Sequence, residues 1–90
     1  MTLNLTDFIV PVDCVIYAMS GNSNGVKTFT AEVHNGSGTN LQSLVCTGGS
    51  GYQKFVSPVS VTAGTEIRLY FNHTGSNVNR PRIMVFFKES

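Results

Sequence analysis

The chain has 90 residues, 41% of them hydrophobic and only 12% charged, with a formal net charge of +1. That length makes one domain, leaves no room for a second, and buries only about 60–65% of the surface exposed by the unfolded chain. The near-neutral balance excludes a long-range field that would gather nucleic acid, anionic membrane or acidic substrates.

Because stability margins are small at this size, oligomerisation or a crosslink would help. The charged share is about half the usual ~25%, and Ser, Thr, Asn and Gly supply the polarity instead. A neutral polar surface suits neutral partners such as sugars or other protein subunits. The N-terminal Met-Thr-Leu-Asn-Leu-Thr-Asp has neither the basic nor the apolar region of a signal peptide. The longest apolar run, Cys14 to Met19, is six residues, far short of the roughly 20 of a membrane span. The expectation is a soluble protein without membrane insertion, made in the cytoplasm and open to display on a virion or extracellular assembly.

Taken in chain order, turn punctuation falls every eight to twelve residues or so, the rhythm of a sandwich or barrel. Leu3 and Leu5 alternate with polar residues, and Phe8-Ile9-Val10 runs to Pro11. Cys14 to Met19 predicts a strand, closed by Gly21-Asn22-Ser23-Asn24-Gly25. Phe29, Ala31 and Val33 alternate with Thr30, Glu32 and His34, a period of two that makes a half-buried strand. Asn35-Gly36 opens a turn, since both tolerate positive φ. Leu41 to Cys46 is the next strand, and Thr47 to Gly51 is too glycine-rich for regular structure. Tyr52 to Val56 and Val59 to Val61 flank Pro58, which predicts an edge or a break. Ala63-Gly64 turns the chain into Thr65 to Phe71, and a long polar loop, 72–80, leads to Arg82 to Lys88. No ten-residue stretch is helical in period. The prediction is an all-β, compact antiparallel sandwich or jelly roll of seven or eight short strands over 1–90.

Two strands break the alternation. Val15 to Met19 and Ile83 to Phe87 are apolar on both faces, whereas an antiparallel strand with one wet face alternates. One reading is a central strand with incidental surface apolar residues. The other is a subunit interface built from Val15, Tyr17, Met19, Met84 and Phe86, a contiguous apolar patch. The second makes the protein a homo-oligomer, with a trimer preferred.

The catalytic inventory is thin. Gly21 to Gly25 spells the Gly-x-Ser-x-Gly of a nucleophile elbow, but that motif needs a strand turning into a helix, and here a β-alternating segment follows. The five carboxylates are dispersed, His34 and His73 have no ligand at metal spacing, and no acidic loop offers calcium its oxygens. The expectation is a protein that is not an enzyme and carries no cofactor or metal. Cys14 and Cys46, 32 positions apart, are expected as buried free thiols. Three basic residues, Arg80, Arg82 and Lys88, read as solubilising, so no nucleic acid is expected.

For binding, the loops 21–25, 35–40, 47–51 and 72–80 are rich in amides and hydroxyls, which turns demand and ligands use alike. The loop 72–80 is longer than a turn needs. Its Asn77, Asn79 and Arg80, with Tyr52 or Tyr70 as an aromatic platform, form the candidate glycan site. A structural role for either tyrosine remains open.

Phe8-Ile9-Val10-Pro11-Val12-Asp13 resembles the F-x-V-P-x-D-G strand of jelly-roll modules from phage tail fibres and C1q/TNF-like trimers. Val59 to Phe71, VSVTAGTEIRLYF, resembles the V-x-L-x-A-G-D-x-I-x-L-x-Y strand pair of the same modules. Cys14 stands where that pattern has glycine, and Thr65 where it has an acidic residue. The resemblance implies a trimeric, surface-displayed jelly roll that recognises cell-surface glycans or plugs a larger assembly. A free-standing small lectin is a second reading. A single-stranded nucleic-acid-binding OB-type barrel is a third, disfavoured by the charge.

Overall fold

The computed structural model describes residues 2–73 and 78–90. The described residues contain seven strands: β1 (Thr2–Ile9), β2 (Cys14–Asn22), β3 (Phe29–Asn35), β4 (Asn40–Cys46), β5 (Ser50–Val61), β6 (Glu66–Asn72) and β7 (Arg82–Glu89). A single 3-10 turn, Thr47–Gly49, links β4 to β5. The strands form two antiparallel sheets, ordered β1-β6-β3-β4 and β5-β2-β7. This is the all-β sandwich that the period-two pattern predicts.

The pairing is nested. β3 and β4 form a hairpin, β2 pairs with β5 outside it, and β1 pairs with β6 outside that. The chain thus runs out through three strands and returns through the next three. Folding this doubled ribbon over itself sets β1-β6 beside β3-β4 in one sheet and β2-β5 in the other, the wrapping of a jelly roll. β7 then adds to the free side of β2.

Alternation buries one face of each sheet. Phe29, Ala31 and Val33 of β3 and Ile67, Leu69 and Phe71 of β6 meet Ile16, Met19 and Val61 from the opposite sheet. Full burial of each large aliphatic or aromatic side chain contributes about 1.5–3 kcal/mol, enough to select this register over one slipped by a residue.

β2 does not alternate throughout, and the reason is a β-bulge. Its register with both neighbours slips between Ile16 and Ala18, leaving Tyr17 as the extra residue. Cys14 and Ile16 face the core before the slip, and Met19 and Gly21 after it. Met19, expected at a subunit interface, is therefore a core residue with 0% exposure. β7 keeps its phase: Ile83, Val85 and Phe87 pack against the core, while Met84 and Phe86 face outward.

The predicted break at Pro58 takes a different form. Residues 50–61 make one strand, but four of them, 55–58, stand opposite the single bulged Tyr17. Phe55 turns into the core, and Val56 is 98% exposed. In the 35–39 turn the positive φ falls on Gly38 rather than on Asn35 or Gly36. The Asn35 side-chain oxygen instead accepts from the Ser37 and Thr39 amides.

Both cysteines are buried free thiols. Cys46 lies against Gly21, where an added Cβ would collide with its Sγ and crowd the Phe29 ring.

Candidate functional site

Three of the four polar loops meet at one end of the sandwich. The Ser23 amide and hydroxyl both donate to the Gly49 carbonyl (2.9 and 3.3 Å), and the Asn24 amide donates to the Asn79 carbonyl (2.7 Å). Gly49 holds φ near +91° against the Gly25 carbonyl, a fit no side chain allows. Ser23, the serine of the elbow-like motif, is thus a buried clamp between loops. The turn at 35–40 lies at the opposite end, beside Glu66.

The outer face of the four-stranded sheet carries a closed polar network. His34 Nε2 lies 2.8 Å from Glu32 Oε1, and Asn72 Nδ2 donates to Glu32 Oε2 at 3.1 Å. The His34 ring lies on Tyr70, with centroids 4.4 Å apart. Arg68 donates to Glu66 at 2.9 and 3.2 Å. Hydrogen bonds to Tyr70 first, then Glu66, push its guanidinium pKa above the ordinary value. Glu32 and His34 look solvated in the alternation, yet their side chains are only 14% and 16% exposed. Beside this network, Thr28, Thr30, Asn72 and His73 border an open hollow of about 290 Å³.

The outer face of the three-stranded sheet is of another kind. Phe86 sits between Tyr17 and Tyr52, with ring centroids 6.3 and 6.2 Å away. Tyr52 is 63% and Met84 57% exposed. Ser20 stands in register between them, Tyr52 on β5 and Met84 on β7. Towards the loop end, Ser20, Gly21, Asn22, Arg82, Ile83 and Met84 line a hollow of about 210 Å³. Arg82 Nη2 donates to the side-chain oxygens of Asn22 (3.2 Å) and Asn24 (3.1 Å). Within β2, β5 and β7, strand alternation turns Lys54, Arg82 and Lys88 to this face and no carboxylate.

The predicted site residues are therefore divided. Tyr52 and Tyr70 lie on opposite outer faces and cannot share one ligand. Asn77 lies outside the described residues. Asn79 and Arg80 are exposed beside the loop end, Arg80 at a positive φ of 50°. Val15, Tyr17, Met84 and Phe86 belong to the three-stranded sheet, with Met84 and Phe86 on its outer face; Met19 does not join them. Sequence reasoning missed Asn22, Asn24 and Arg82 as a unit. Arg82 is 60 positions from Asn22 and 58 from Asn24, and the β2–β7 register brings it to them. Among the described residues no group of three His, Cys, Asp or Glu is arranged to hold a metal, and no helix is long and apolar enough to cross a membrane.

No family model, no curated protein and no solved structure matches the chain.

Proposed function

We propose that this domain is a non-catalytic recognition module of a phage-like or adhesin-like assembly, and that it holds its ligand on the outer face of the three-stranded sheet. The observation that supports this is the ribbon of Tyr17, Phe86, Tyr52 and Met84 running into a loop end rich in amides. Aromatic faces stack on sugar rings, and amides pair with hydroxyls as both donors and acceptors. The binding residues of this reading are Tyr52, Met84, Asn22 and Arg82, with Asn79 and Arg80 at the rim. Tyr70 falls outside it. A glycan array, followed by amide chemical-shift mapping with a bound saccharide, tests it. Shifts clustered at residues 20–24, 52 and 82–84 are expected, and shifts confined to residues 28–34 and 68–72 would refute it.

A second reading has its own support: Met84 and Phe86 continue through Tyr17 and Val15 as an apolar strip, which suits self-association into a homotrimer. Light scattering on the eluting protein separates the two. A mass above the 9.7 kDa monomer that falls to monomer on Phe86→Glu favours assembly, because each subunit would bury an unpaired charge. A stable monomer leaves the face open for ligand.

A further inference from the structure

We infer that the hollow at the Arg82 end of this face is a subsite for an acidic sugar, one ring carrying a carboxylate. The inference rests on the recognition reading above and specifies the ligand class. Arg82 is the central observation. Its Nη2 is fixed by Asn22 and Asn24, so the guanidinium is oriented at little further entropic cost. Both partners are neutral, and neither the His34–Glu32 nor the Arg68–Glu66 ion pair draws on Arg82. The charge of Arg82 is therefore held in place without being neutralised. A guanidinium has five N–H donors, of which these contacts use Nη2 alone. The others suit the bidentate capture of a carboxylate.

The surroundings select a ring. Tyr52 and Met84 rise on either side of the small Ser20, two strand spacings apart, or roughly 9.5 Å between backbones. Ser20 offers a hydroxyl in the slot. The Asn22 and Asn24 oxygens are turned to Arg82, which leaves their amide hydrogens as donors for ring hydroxyls. The volume of about 210 Å³ falls below the ~300–1,000 Å³ of drug-sized sites, so it takes one ring rather than an extended chain. Lys54 and Lys88 add positive charge along the same face, with no carboxylate among the outward side chains of β2, β5 and β7. A single-stranded nucleic acid fits less well. It needs several cations tracking successive phosphates, and only Arg82 lies in the hollow.

The test is a titration of isotope-labelled protein with glucuronic acid, with its neutral methyl ester, and with an oligothymidylate. The acid should shift the amides of Ser20, Asn22, Tyr52 and Met84, and the ester should bind at least tenfold more weakly, since a charged hydrogen bond is lost. Arg82→Gln should weaken acid binding tenfold or more, and Arg82→Lys, which keeps charge without the fork, should fall between. Tyr52→Ala, at an exposed position, should weaken acid and ester alike at unchanged Tm. Equal binding of acid and ester overturns the acidic-sugar inference and leaves the recognition reading standing. If neither saccharide moves this face, both are overturned. Tighter binding of the oligothymidylate than of the acid, with steep salt dependence, overturns the inference in favour of single strands.

Discussion

The two outer faces of this sandwich differ in how their polar groups are used. On the four-stranded sheet, Glu32, His34, Asn72, Glu66, Arg68 and Tyr70 satisfy one another. On the three-stranded sheet, Tyr52 and Met84 stand exposed, and Arg82 has only neutral partners. The first arrangement uses its hydrogen-bonding groups on one another, whereas the Arg82 contacts of the second engage Nη2 alone. A charged or aromatic face is a candidate for binding, as proposed for the three-stranded sheet, when its groups are left unused by their neighbours.

The core joining the faces gives the largest expected effect. Gly21→Ala would drive a methyl onto the Cys46 sulfur and the Phe29 ring, and overpacking of this kind costs about 1–3 kcal/mol or more. Denaturant unfolding should report that loss, with both faces disturbed together. A change under about 0.5 kcal/mol, the usual range for a surface substitution, would mean that the core yields and the faces are less tightly coupled than the packing implies.

Glu32→Ala separates the faces. It leaves His34 and Asn72 without their shared acceptor in a half-buried setting, at a cost of about 1–3 kcal/mol. Saccharide binding at Arg82 should not change. If binding falls with stability, the two faces are not independent.

The thiols sharpen the same distinction through pH. Burial pushes the pKa of Cys46 above the ordinary thiol value, and burial followed by the Asp13 charge does so for Cys14. A raised folded-state pKa favours the native state fully below the unfolded value of 9.0. That contribution is lost as pH rises through the folded value. Stability should therefore decline above pH 9, while at neutral pH a thiol reagent should find two groups only after denaturation. Rapid reaction of the native protein would mean that one sheet opens readily.

The smallest expected effect on stability is the most telling. Tyr52→Ala should change unfolding free energy by no more than about 0.5 kcal/mol, as for other exposed positions, yet weaken ligand binding. A large stability loss would make Tyr52 structural and remove it from the site.

Much of the fold is legible locally. Phe29 to Val33 and Ile67 to Phe71 announce their buried faces by simple alternation, because a strand's side chains alternate whatever it pairs with. The buried thiols also follow from local character. What local pattern misplaces is Met19. The bulge at Tyr17 changes the phase of β2, and it shows only in the register with β5 and β7, which slips at that point in both.

The candidate site was less legible still. Composition reports a net charge of +1, whereas the fold sends Lys54, Arg82 and Lys88 to one face and Glu32 and Glu66 to the other. The strand pattern determined an all-β chain and named the buried faces of β3 and β6. The nested pairing alone decided that Tyr52 and Tyr70 part company and that Arg82 meets Asn22 and Asn24. Alternation is a property of each strand by itself, but register and layer are set by contacts between residues far apart in the chain.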